Sequence, residues 1–204
     1  ASRAPFAGEA AALLAEIEAL AAEPAAFVTR FGSMALAPSS GRTRLVDVLG
    51  VDPAYPFYGR IETDPADAWA GLQREEPVAL VDPAALVQLD VAPGDSLLLG
   101  RLRVRILGSV RRTPGTSGLR ASVAPRIFLA RRHVAATGLL ERGSLVDHQA
   151  YLRVAPERLG PWLEANRGAL AAARLREDTV DEVKEEASKS FGALTRMLGL
   201  VGLA

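Results

Sequence analysis

Between Ser96 and Leu140 the chain carries nine arginines, Arg101, Arg103, Arg105, Arg111, Arg112, Arg120, Arg126, Arg131 and Arg132, and no aspartate or glutamate. A guanidinium is always charged and presents a planar fork of donors that matches carboxylate or phosphate. A run of them without acids is therefore a candidate face for an anionic partner. Arg101, Arg103 and Arg105 are its sharpest part, because they alternate with Leu102, Val104 and Ile106 as a strand with one wet face places them. Anionic lipid headgroups, a lipopolysaccharide-like substrate or an acidic protein all fit that chemistry. Neutralisation by carboxylates from other segments fits it equally. Nucleic acid fits less well, since Phe128 is the only aromatic among these arginines and single-stranded recognition leans on base stacking.

Catalytic patterns are sparse. Ser144, Asp147 and His148 are near one another in sequence, but a triad is defined by geometry rather than proximity, and no serine sits in a G-x-S-x-G elbow. Neither lysine, Lys184 or Lys189, directly follows a glycine, so no phosphate-cradling P-loop is present. Zinc sites use three or four ligands with two closely spaced, whereas His133 and His148 stand alone without cysteine. The pairs Glu75-Glu76 and Glu185-Glu186 point apart on a helix and read as solvated surface. The expectation is a chain with no catalytic, metal or cofactor-binding residues of its own.

With 204 residues and 49% apolar content, a substantial core is available as one large domain or two small subdomains. The formal net charge is zero, so the chain as a whole is no polyanion binder. All basic residues except Lys184 and Lys189 are arginine, a bias that reads as base composition. The absence of cysteine leaves the redox compartment open. No secretory signal opens the sequence, and no uninterrupted apolar stretch reaches the roughly 18 residues of a membrane span.

The elements that must position these groups are clearest over residues 78–110. Val78 to Val81 is a continuous apolar run, as in a strand buried on both faces. Asp82-Pro83 then starts a short helix, with Asp82 as the expected cap and Pro83 at a position that needs no N–H. Pro93-Gly94-Asp95 is a turn, and strands follow at Ser96–Leu99 and Leu102–Val110. Upstream, Glu9 to Ala22 reads as an amphipathic helix, and Phe27–Leu36 and Arg44–Val51 as antiparallel strands around Pro38-Ser39-Ser40-Gly41. Downstream, a strand at Gln149–Val154, a helix from Pro156 to about Ala165, a break at Asn166–Gly168 and a strand near Ala171–Arg176 would form a β-α-β unit. Residues before Phe6 could add a strand and complete a ferredoxin-like layer. Tyr55-Pro56-Phe57-Tyr58 is an aromatic loop suited to recognition or to packing between subdomains, and Trp69 and Trp162 read as core. Last, Asp178 to Ala204 has apolar residues every three or four positions behind a capping box at Thr179–Glu182, and no charge from Met197 onward. That pattern suits a helix leaving a domain toward a bilayer, or a helix packed on its own core.

The 78–110 cassette, together with Val51-Asp52-Pro53-Ala54-Tyr55-Pro56-Phe57-Tyr58-Gly59, Ala136-Thr137-Gly138-Leu139 and the run Leu194 to Leu203, resembles the extracytoplasmic domain of ABC-transporter permeases of the MacB, LolC and FtsX type, in particular their YbbP-like branch. The resemblance implies an α+β fold: a split ferredoxin-like, porter-type α/β subdomain (residues 1–54 plus 128–177), an inserted β-rich, sabre-type subdomain (55–127) and a C-terminal stalk helix (178–204) leading to a transmembrane segment. It also implies a non-catalytic domain on the extracytoplasmic side of the inner membrane. There it couples ATP and Mg chemistry in a separate cytoplasmic ATPase subunit to export or release of an envelope substrate, by mechanotransmission. The coupling residues it suggests are Phe191, Leu194, Leu198 and Val201, and Arg101, Arg103 and Arg105 are the face for an anionic partner. A homodimer, a lipid or lipoprotein ligand, or an envelope protein are the further partners implied, with no nucleic acid. A lipid- or lipoprotein-binding envelope domain and an envelope esterase using Ser144 are the alternatives.

Overall fold

The computed structural model describes residues 1–114, 124–140 and 145–178. Among these described residues eight strands and four α-helices follow one another as α1 (Glu9–Leu20), β1 (Ala26–Leu36), β2 (Thr43–Val51), β3 (Glu62–Asp64), α2 (Ala68–Gly71), β4 (Val78–Val81), α3 (Pro83–Leu89), β5 (Ser96–Leu99), β6 (Leu102–Arg112), β7 (Arg126–Ala130), β8 (Val146–Tyr151) and α4 (Pro156–Ala172). The content is mixed α/β.

Six of the strands close into a ring. β1 pairs with β2, β2 with β7, β7 with β4, β4 with β6, β6 with β5, and β5 returns to β1. The β2–β7 and β4–β6 ladders are parallel and the others antiparallel. Closure depends on the length of β1. Its first half lies between β8 and β2, with Thr29 opposite His148 and Gly50, while Ala35 and Leu36 near its end reach Leu99 and Leu98 of β5. A closed ring leaves these strands no open edge. β3 adds to the outside of β6.

The side-chain period of two fixes what fills the ring. Phe31, Ala35, Val46, Val48, Ala79, Val81, Leu97, Leu99, Val104, Ile106, Ile127 and Leu129 point inward as one buried cluster. A side chain of this kind contributes about 1.5–3 kcal/mol when fully buried. The opposite faces of the same strands supply a second cluster, with Val28, Leu49, Val51, Leu80 and Phe128 covered by Ile61, Leu72 and Trp69. β4 belongs to both clusters, which is why its sequence is apolar at every position.

α1 and α4 lie beside β8, outside the ring. Among their residues only Leu13 and Leu170 are fully buried. The two extremes of the described chain meet there: the Arg176 amide donates to the Ala1 carbonyl at 2.9 Å, and Ser2 forms a bridge with His148.

Several local expectations change. The helix after Pro156 does not break at Asn166–Gly168 but runs on to Ala172, the Asn166 side chain donating to the Trp162 carbonyl. Residues 171–176 are therefore the end of that helix and a coil, and no strand forms among them. Asp82 has the extended backbone of a cap but makes no capping hydrogen bond, its carboxylate being committed elsewhere. The boundary at 127/128 falls inside β7, which pairs with β2 on one side and β4 on the other. Phe191, Leu194, Leu198 and Val201, the capping box at Thr179–Glu182, Lys184, Glu185, Glu186, Lys189, Ser144 and Arg120 lie outside the described residues.

Candidate functional site

β6 positions the arginine series. Its alternation sends Val104 and Ile106 into the ring and Arg103 and Arg105 out to solvent, as the spacing predicts. The carboxylates that could neutralise the series come from two other segments. Glu76 meets Arg105 at 3.3 Å, Asp64 meets Arg111, and Glu62 meets Arg112 at 3.5 Å. These pairs are exposed and each contributes at most about 1 kcal/mol. Arg131 sits over the Phe27 ring at 5.2 Å, and Arg132 donates to the backbone carbonyls of Gln73 and Arg74. Arg101 and Arg103 form no ion pair among the described residues. Arg101 lies instead on the β5–β6 turn, its amide donating to the Thr137 carbonyl at 2.9 Å and its guanidinium resting against Gly138. The acid-free stretch is thus about half neutralised in space, and its free charge is concentrated at Arg101 and Arg103.

Arg126 is half-buried, on the buried carboxylate of Asp82. Its Nε and Nη2 donate to Oδ2 and Oδ1 of Asp82 at 3.0 and 3.1 Å, and its backbone amide donates to the same Oδ2 at 2.9 Å. The Asp82-Pro83 pattern predicts only a helix cap for Asp82; the β4–β7 pairing, which is long-range, brings Arg126 to it.

The aromatic loop packs between the ring and the α1/α4 layer. Tyr55 lies 6.2 Å from Trp69 and 6.1 Å from Tyr151, and burial pushes its phenol up to about 12. Phe57 and Tyr58 stack edge to face at 5.0 Å, with Arg153 close to both rings. Of the two expected roles for this loop, packing between parts is the one its contacts serve. Trp69 is packed against Phe128, while Trp162 lines an apolar groove of about 590 Å³ with Phe6, Ile17, Leu159, Leu163 and Tyr151. Nothing in the sequence pattern signals this groove.

The remaining titratable groups do not converge into a reaction centre. His148 Nδ1 lies 3.4 Å from the Thr29 hydroxyl, and its ring packs on Phe6. Asp147 points to the other face and accepts from Gln149. There, Arg30 grips Asp47 at 2.8 and 3.0 Å through Nε, and hydrogen bonding to Asp47 raises the Arg30 guanidinium above its ordinary value. His133 is on a separate 3-10 turn, and no cluster of three or more metal-ligating side chains occurs among the described residues. Nor, among them, is any helix long and apolar enough to cross a membrane.

Comparison with known proteins agrees with the resemblance read from the sequence. No protein-family model matches the chain. It is 31% identical over 103 residues to the uncharacterized ABC transporter permease YbbP of Escherichia coli K12, a match covering 50% of this chain and 12% of that protein. The chain thus spans about an eighth of the length of that relative. Its fold is shared with a domain of a "putative Permease protein" from Porphyromonas gingivalis, at a TM-score of 0.50 and 16% identity over 83% of this chain and 82% of the other. A further likeness is to the periplasmic region of MacB from Actinobacillus actinomycetemcomitans, at a TM-score of 0.46 and 12% identity over 82% and 77%. The chain is similar in sequence to an ABC transporter permease and shares the fold of a permease domain.

Proposed function

We propose that the chain is the extracytoplasmic domain of an ABC-transporter permease subunit. The observation that carries this reading is the 31% identity to YbbP over 103 residues, half of the chain. In this reading residues 1–54 and 128–177 supply most of the porter-type α/β part and residues 55–127 most of the sabre-type β-rich part, on the periplasmic side of the inner membrane.

The domain itself is non-catalytic and binds no cofactor. A partner ATPase subunit, using ATP and Mg, supplies the energy, and its conformational change reaches the outer domain through the segment beyond Asp178. The sequence period in that segment nominates Phe191, Leu194, Leu198 and Val201 as coupling residues, and a coupling role requires two discrete arrangements of the element that carries them. Structures of the full-length subunit with its ATPase, one locked with nucleotide and one free of it, test the mechanism. Distinct positions of residues 179–204 relative to the outer domain are expected, and identical positions refute it.

A further inference from the structure

The outward faces of β1 and β2 are covered at one end and bare at the other. Val28, Leu49 and Val51 lie under Ile61, Leu72 and Trp69. Further along the same face, Met34 and Leu45 stand opposite each other in register and are 54% and 52% exposed. In the neighbouring row Leu36 is opposite Leu98, and Leu98 is opposite Arg103; both leucines are partly exposed. Four aliphatic side chains therefore form a strip across three strands that runs into the arginines of β6.

The charge left over around this strip is mainly positive. Glu76 is paired with Arg105, Asp47 with Arg30 and Asp90 with Arg42, and Asp95 accepts from the Ala92 amide. Arg101 and Arg103 have no carboxylate among the described residues. The occupant that this face complements is at once aliphatic and anionic. A protein partner fits less well, because binding hot spots are built on Trp and Tyr as well as Arg, and the strip holds no aromatic residue.

We propose that this face docks on an anionic lipid surface, with Met34, Leu45, Leu36 and Leu98 entering the boundary between headgroups and acyl chains and with Arg101 and Arg103 meeting lipid phosphates. The assignment goes beyond the permease reading and does not depend on it, since it concerns only surface chemistry.

The test is co-sedimentation of the 204-residue chain with vesicles of phosphatidylcholine alone and of phosphatidylcholine with 30 mol% (about a third) phosphatidylglycerol, a composition on which juxtamembrane arginines act measurably. Binding to the anionic vesicles is expected to fall about fivefold for each arginine removed in Arg101→Gln and Arg103→Gln, and to weaken with salt as screening grows. Met34→Ser with Leu45→Ser is expected to lower binding at every salt concentration. Arg158→Gln, on the exposed face of α4, is expected to bind like wild type. Thermal melts confirm that each variant folds. Equal binding to both vesicle types, or binding unchanged in the arginine and Met34/Leu45 variants, overturns the proposal. So does a chain that ignores lipid but self-associates until Met34 and Leu45 are replaced, which assigns the face to a second copy.

Discussion

Arg126 closes on Asp82 with two side-chain donors and its own backbone amide, all within 3.1 Å, at the point where β4 leaves the ring. Asp82 is buried and the Asp82 amide donates in turn to the Arg126 carbonyl at 2.9 Å. Removing the Arg126 side chain leaves the Asp82 carboxylate charged and buried without its ion-pair partner. Arg126→Leu is expected to cost about 3–5 kcal/mol in urea unfolding. Arg126→Leu with Asp82→Leu together should cost clearly less than the two single changes summed, because no uncompensated charge remains. Additive single changes would show that the pair is not coupled.

Leu97 fills the ring interior at 0% exposure, whereas Val87 on α3 is 77% exposed. Leu97→Ala is expected to lose about 2–5 kcal/mol of stability, and Val87→Ala to stay within about 0.5 kcal/mol of wild type. Equal effects at the two sites would mean that the ring is not the core.

Gly50 is held by a close approach rather than by backbone conformation. A Cβ there would run into Cγ2 of Val134, while the nearest backbone atoms stand at 3.5 Å. Gly50→Ala is expected to cost about 1–3 kcal/mol as overpacking. Adding Val134→Ala should make the pair of changes less damaging than their sum, and the double-mutant cycle measures that coupling directly.

Burial pushes the His148 imidazole below its ordinary 6.5, with Asp147 opposing and Arg131 adding to the shift. The unfolded chain then takes up the proton more readily than the folded one, so stability falls as pH drops through the unfolded value toward the folded one and is level above it. The groups facing the ring are Thr29, Phe6 and Arg131. His148→Gln is expected to flatten this part of the profile, so that its stability relative to wild type improves between about pH 7.5 and about pH 5.5. A constant difference over that interval would contradict the assignment.

Several elements are set by their local sequence. The Leu102/Val104/Ile106 alternation, the apolar VALV run of β4 and the turn between β1 and β2 all fix their elements through nearest neighbours, and the structure has each of them. Ring closure was not legible, because β1 reaches β5 and β2 reaches β7 across more than sixty residues and no local period encodes such a pairing. The strand expected near Ala171–Arg176 failed for a related reason: Ala169 to Ala172 are strong helix formers, and Gly168 alone was too weak a breaker to stop α4. At the candidate site, the free charge of Arg101 and Arg103 was visible as an acid-free run. The pairing of Arg105, Arg111 and Arg112 with Glu76, Asp64 and Glu62 depended on contacts between distant segments.

The central claim, that this is the outer domain of a permease subunit, makes a direct prediction about sidedness. The chain contains no cysteine, so Val87→Cys in the full-length protein places one thiol on an exposed position of this domain. In spheroplasts with a sealed cytoplasmic membrane, a membrane-impermeant maleimide is expected to label that thiol, above the background of the unsubstituted protein, as fully before lysis as after it. Labelling that appears only after the membrane is permeabilised would put the domain on the cytoplasmic side and contradict the account.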